Sequence, residues 1–269
     1  NPAHMLIFLK YKFNPKSVKV IEIKRGNPFE IKQKDWISEH SPQGFEVRYQ
    51  IKKHLFSKKS KYQQIDVIEN EEFGKMLFLD NDLQIAEKDA HIYNSALVSP
   101  IIRAKIPLNK IAILGGGDGG VLKELIKYNP KKVSLIEIDK EVMEASKQFA
   151  QSIYKKPSYE SKIEIIIQDA NKFLETNDNF DAIIYDLTMH PELLVDKSQK
   201  EFLYNIFTKI KNSLKEKGIM TLQCCSEYDT KTLKLLKEIL PKYFKNINFK
   251  KIFIPSYCKN WIFASATVK

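Results

Sequence analysis

Apolar and polar positions fall into two regimes that meet near residue 105. Before it the pattern is mostly of strands. Residues 5–13 and 18–23 are apolar or β-branched runs split by Asn14-Pro15-Lys16-Ser17, a hairpin signal. Residues 64–69 and 75–79 form a second pair, broken at Glu72-Phe73-Gly74, and Asp80-Asn81-Asp82 reads as a turn into a short strand at 83–86. Helical patterns are predicted between these strands at 45–56 and 89–99.

After residue 105, short apolar strands alternate with helices. Strands are predicted at 110–114, 132–138, 163–167, 180–185, 219–223, 250–254 and 261–266. Helices are predicted from the glycine-rich turn to about 128, and at 142–154, 170–176, 200–214 and 230–240, with Gly218 as a helix stop. Repeated βα units of this kind predict an α/β fold: a Rossmann-like, doubly wound sheet with helices on both faces, preceded by a small N-terminal β domain. The division is placed at 1–104 and 105–269. Asn1 to His4, ahead of Met5, read as a tag scar and are excluded from fold reasoning.

Composition narrows the function classes. With 43% hydrophobic and 29% charged residues among 269, the chain reads as a globular protein. No run approaches the roughly 20 apolar residues of a membrane span, and no export leader is recognisable, so a cytoplasmic protein is expected. Three cysteines, two of them adjacent at Cys224 and Cys225, make neither a disulfide framework nor a zinc spacing. Five scattered histidines suggest no metal site. The net charge of +11 could mark a nucleic-acid binder. Its lysines are spread singly or in pairs, without an arginine-rich arm or zinc finger, so a solvated basic surface is expected and no nucleic-acid partner.

The strongest motif is Gly115-Gly116-Gly117-Asp118-Gly119-Gly120, between a predicted strand and a predicted helix. Gly115 and Gly117 let backbone approach a ligand, and the helix start can present N–H groups to it. Glu137 stands roughly twenty residues on, at a strand end, where a carboxylate can hold ribose hydroxyls. Asp118 puts a negative charge inside the turn, which repels phosphate and attracts a sulfonium or ammonium; as a helix cap it would be unremarkable. Asp169, before Ala170, could accept an adenine amino hydrogen or simply cap its helix. Asp186 closes the strand at 180–185. Three carboxylates at successive strand ends converge on the crevice where such folds bind ligands.

These residues, in order, resemble the polyamine aminopropyltransferases, the spermidine and spermine synthases. The resemblance runs from Trp36-Ile37-Ser38-Glu39 through Ser60-Lys61-Tyr62-Gln63, Phe73-Gly74-Lys75, Leu79-Asp80, Gln84, Asp89 and Tyr93. It continues through Gly115–Gly120, Glu137-Ile138-Asp139 and Asp186-Leu187-Thr188, and ends in Pro255-Ser256-Tyr257 with Trp261. It implies aminopropyl transfer from decarboxylated S-adenosylmethionine, as co-substrate and without a cofactor, to an amine such as putrescine or spermidine. Methylthioadenosine is the other product, and a homodimer is the implied assembly. By position, Gln63, Glu137, Asp169 and Ala170 look like nucleoside contacts, and Asp118 like the anchor of the aminopropyl ammonium. Tyr93, Asn94 and Tyr257 look like amine-site residues, and Asp186 like the catalytic base. Read without the resemblance, both tyrosines could be core aromatics and Asn94 a solvated helix residue.

The chain departs from the family's pattern at three acidic positions. Ala90 follows Asp89 where an acidic residue is usual, Met189 stands at the place of a second aspartate, and Lys259 stands two after Tyr257 where spermine synthases carry an acid. A lysine directed into an amine site would repel substrate, so Lys259 is expected to point outward. A small-molecule methyltransferase and a non-catalytic relative acting as a binding or regulatory subunit are the competing functions.

Overall fold

Three sheets organise the described residues, 36–150, 161–189 and 198–269, of the computed structural model. The hairpin expected at 5–23 and the end of the helix expected at 142–154 lie outside them. A hairpin of β1 (Trp36–His40) and β2 (Glu46–Gln50) comes first. An antiparallel sheet follows, in the order β3 (Lys53–Lys59), β4 (Gln64–Asn70), β5 (Gly74–Leu79) and β6 (Asp82–Ala86).

Two strands therefore replace the helix expected at 45–56. Phe45, Val47, Tyr49 and Ile51 alternate with Glu46, Arg48 and Gln50. That is a period of two, the period of a strand with one face covered, and Tyr49 is 3% exposed while Glu46 and Gln50 face solvent.

Helix α1 (Ala90–Arg103) leads into the large sheet of β7 (Ile111–Gly115), β8 (Val133–Glu137), β9 (Ile163–Ile167), β10 (Phe180–Asp186), β11 (Leu214–Ser226), β12 (Phe244–Ile254) and β13 (Lys259–Val268). Between them run α2 (Gly120–Leu125), α3 (Lys140–Ala150), α4 (Ala170–Thr176), α5 (Gln199–Ser213) and α6 (Thr230–Tyr243). Spatial order is β12-β13-β11-β10-β7-β8-β9, with β13 antiparallel to both neighbours and the other pairs parallel.

Two helices outrun their expected ends because each passes through a proline. α1 continues past Pro100 and α6 past Pro241. Proline forfeits a helical hydrogen bond, but Ile101, beyond the first, is fully buried, and Tyr243, beyond the second, packs edge-on against Tyr204. Gly218 is no helix stop. α5 ends at Ser213, where Leu214 turns extended, and Gly218 lies inside β11.

The core strands are buried on both faces. Ile111 and Ile113 of β7 join one apolar cluster with Leu97, Val98 and Ile101 of α1 and Val121 and Leu122 of α2. Ala112 and Leu114 point the other way, to Phe173 of α4, Leu203 and Phe207 of α5, and Leu236 of α6. Helices on both sides explain why these strands read as continuous apolar runs. The smaller sheet docks on α3 through Ile65, Val67 and Leu77 against Val142 and Ala145.

This topology sets the site. β7 has β8 on one side and β10 on the other, so the chain reverses direction across the sheet there, and a crevice opens at the carboxyl ends of the strands. Register places Asp186 opposite Gly115.

Candidate active site

The glycine-rich turn is shaped by what presses on it. Gly115 has φ +82°, and a Cβ there would lie 2.2 Å from the Asp186 carbonyl oxygen. A Cβ on Gly117 would lie 2.6 Å from a carboxylate oxygen of Glu137. Only glycine lets the three strand-end segments close to this distance.

Glu137 turns back onto this turn. Its carboxylate accepts from the Gly117 N–H at 3.2 Å and the Asp139 N–H at 2.9 Å. Burial nevertheless raises its pKa from 4.5 to about 7, against the lowering effect of these amides. Asp139, 2% exposed, continues the network by accepting from Ser60 Oγ at 2.6 Å and Gln63 Nε2 at 3.1 Å. Gln63, in the loop between β3 and β4, is thereby carried to the edge of the crevice by the smaller sheet.

Asp118 sits at the start of α2, where its Oδ1 accepts from the Gly120 N–H at 2.5 Å. Asp118 thus precedes the N-cap residue, Gly119, and satisfies the first N–H of α2, close to what the cap reading expected. Burial raises its pKa. Asp186 lies opposite and accepts from Tyr93 Oη at 2.6 Å. Burial first, then the charges of Asp118 and Glu137, raise the Asp186 pKa from 3.8 to about 7, and the tyrosine bond only partly offsets them. Both aspartates keep some exposure, so they can be reached from solvent while sitting in a poorly solvated place.

Tyr93, Asn94 and Tyr257 close this side. Tyr257 is 5% exposed and donates to the Gln84 carbonyl at 2.5 Å. Its ring meets Tyr93 edge-on at 6.3 Å and Trp261 at 5.4 Å. Both tyrosines are packed aromatics, as the reading without the resemblance allowed, and Tyr93 also donates to Asp186. Asn94 is not solvated: it is 6% exposed, and its Oδ1 has no hydrogen-bond partner beside the Gly120 turn. A buried orphan acceptor is costly unless something donates to it. Asp169 and Ala170 stand apart from this cluster, at the end of β9. There Asp169 caps α4 through the Lys172 N–H at 3.1 Å, while Ala170 is buried.

Several contributors escape inspection of single residues. Asp89 takes both the N–H and the hydroxyl of Ser256, at 2.7 and 3.0 Å, which pins the Pro255–Tyr257 turn to the start of α1. Gln223 donates to the Leu187 carbonyl at 2.5 Å and accepts from Trp261 Nε1 at 3.0 Å, bracing the segment after Asp186. Asp139, Ser60 and Asp89 fall within the resembling segments; Gln223 carried no signal. Met189 is buried in the core, 2% exposed, and lines no acidic wall. Lys259 does not point outward. Its side chain is 11% exposed and its Nζ lies 2.5 Å from Glu39 Oε1 on β1. Pairing with a buried carboxylate removes the repulsion on which the outward expectation rested.

Comparison with known proteins identifies the family. Residues 90–269 match the spermine/spermidine synthase domain, and residues 35–87 the spermidine synthase tetramerisation domain. A polyamine aminopropyltransferase of Thermococcus kodakarensis is 33% identical, over 82% of this chain and 78% of that protein. The spermidine synthase of Thermotoga maritima superposes with a TM-score of 0.76 at 26% identity, covering 90% of this chain and 82% of that one. A spermidine synthase in complex with the transition-state analogue AdoDATO superposes at 0.74, with the same identity and coverage. The match of both domain models and the 33% identical aminopropyltransferase place the chain in the spermine/spermidine synthase family, as an aminopropyltransferase.

Proposed function

We propose that this enzyme moves the aminopropyl group of decarboxylated S-adenosylmethionine to putrescine or spermidine and releases methylthioadenosine. The observation that carries the proposal is the facing pair Asp118 and Asp186. Two carboxylates crowd one poorly solvated place, which is costly until cations arrive. A sulfonium donor with a terminal ammonium, and an amine acceptor, supply those cations. The analogue bound by the similar spermidine synthase supports a ligand of this kind.

In this reading Glu137 holds the ribose hydroxyls, Gln63, Asp169 and Ala170 contact the nucleoside, and Asp118 holds the donor ammonium. Asp186 accepts a proton from the acceptor's attacking nitrogen, and Tyr93 orients its carboxylate. The freed lone pair attacks the carbon next to sulfur, the carbon–sulfur bond breaks, and its electron pair leaves with a neutral thioether. A carboxyl with a pKa near 7 is a better proton acceptor than a solvated one. The leaving group is already activated, so the remaining task is alignment of nitrogen, carbon and sulfur.

Asp118→Asn tests the charge assignment. The variant is expected to lose affinity for the decarboxylated donor far more than for methylthioadenosine, which lacks the ammonium. Equal losses for both would contradict it.

Self-association belongs to the same proposal, supported by the tetramerisation-domain match over residues 35–87; it extends the two-copy assembly implied by the resemblance to a dimer or tetramer. A monomeric mass in solution would refute it. A cytosolic location is also proposed, supported by the free thiols of Cys224, Cys225 and Cys258.

A further inference from the structure

Tyr257 stands among four carboxylates. After burial, the charges of Asp186, Asp118, Asp89 and Glu39 all raise the pKa of its hydroxyl. Asp118 and Asp186 face the reacting atoms in the proposed reading, and Asp89 has both oxygens on Ser256. Among the described residues, Glu39 is paired with a lysine of the chain itself, Lys259 Nζ at 2.5 Å. That ammonium also lies 5.9 Å from the centre of the Trp261 ring, and Trp261 packs against Tyr257. One carboxylate and one indole ring around an ammonium is the environment that a substrate amine would itself select.

We propose that Lys259 sets the length of the acceptor: its ammonium takes the outermost cation place of the amine site, between Glu39 and Trp261, so that the enzyme uses a diamine such as putrescine and rejects a triamine such as spermidine. The inference rests on the amine-site reading above and deepens it.

Charge supports it. Of the four carboxylates around Tyr257, Glu39 is already paired with Lys259, which leaves Asp89, Asp118 and Asp186 for the incoming substrates. The donor brings a sulfonium and an ammonium, and a diamine brings its attacking nitrogen's proton to Asp186 and one far ammonium. A triamine brings one cation more than a diamine, and that extra cation would lie close to Lys259 with no carboxylate left to pair it. Unpaired buried charge is strongly disfavoured. Removing the lysine charge restores a place for that second cation. Removing the Glu39 charge as well takes the place away again.

The test measures kcat/KM for putrescine and for spermidine with decarboxylated S-adenosylmethionine, in wild type, Lys259→Met, Lys259→Arg and the double variant Glu39→Gln/Lys259→Met. Methylthioadenosine affinity is measured in parallel as a readout of folding. Wild type and Lys259→Arg are expected to prefer putrescine. In Lys259→Met the spermidine-to-putrescine ratio is expected to rise about tenfold or more, through a lower KM for spermidine. The double variant should return towards the wild-type ratio. An unchanged ratio in a Lys259→Met protein that binds methylthioadenosine normally would overturn the inference while leaving the site reading intact. So would a wild-type enzyme that uses spermidine as well as putrescine, a result that needs no variant to fold. No aminopropylated product from either amine with wild type would remove the site reading, and the inference with it.

Discussion

Asp186 shows how residue-level chemistry follows from placement. It ends a strand whose interior, from Phe180 to Tyr185, is buried, so its carboxyl leaves the core into a crevice with little water. Asp118 across that crevice adds like charge, and the pKa climbs to about 7. Asp186→Asn is expected to lower turnover by roughly 10²–10⁴-fold while methylthioadenosine binds almost normally. Near-normal turnover would remove Asp186 as the base. Wild-type kcat/KM should rise with pH through about 7, as the free enzyme's Asp186 loses its proton.

Stability should move the opposite way. The folded pKa lies above the unfolded value, so between about pH 4 and 7 the folded state binds more protons, and stability falls as pH rises through that window. The unliganded Asp186→Asn protein should therefore melt higher than wild type at pH 8, by ~2–4 °C for each kcal/mol relieved, with the gain shrinking towards pH 4. These effects were only partly legible beforehand. Asp186, Asp118 and Glu137 stand out as acids at strand ends, but their mutual crowding depends on the β7–β10 register, which no local pattern specifies. The inward course of Lys259 depends on Glu39, 220 residues away in sequence.

The elements were legible where hydrophobic period and punctuation agreed. The β7–turn–α2 unit is announced by an apolar run, six residues of glycine and aspartate, and an apolar-periodic start. Errors arose where the two signals competed. The helices expected to end at 99 and 240 run on through Pro100 and Pro241, because packing beyond them outweighs the lost hydrogen bonds. The strands at 46–50 and 53–59 were hidden because length favoured a helix while the period favoured strands. The glycine-rich turn gives a prediction at this scale. Gly117→Ala must push Glu137 off its backbone amides, since the new Cβ would stand 2.6 Å from its carboxylate. Affinity for methylthioadenosine should fall about tenfold or more. Unchanged affinity would show that Glu137 does not hold the nucleoside.

At the scale of the whole molecule, a chain of net charge +11 still gathers carboxylates: Glu39, Asp89, Asp118 and Asp186 act on Tyr257, and Asp118 and Glu137 act on Asp186. Pieces from distant segments meet there. Ser60 and Gln63 come from the smaller sheet, Tyr93 from α1, and Tyr257 from the turn between the last two strands. Tyr49 Oη donating to the Ser256 carbonyl at 2.7 Å ties β2 to that turn. The alternation of strands and helices made the α/β class readable, and the ordered motifs made the family readable. The joins between segments were not readable, because each is a contact between residues with no shared local pattern.

The central claim is aminopropyl transfer at this crevice, and one measurement addresses it most directly. Purified protein would be incubated with decarboxylated S-adenosylmethionine and a panel of amines, and the products read by mass spectrometry. Methylthioadenosine and an aminopropylated amine should appear in equal amounts in wild type and fall together in Asp186→Asn. Methylthioadenosine binding without an aminopropylated product from any amine would contradict the claim.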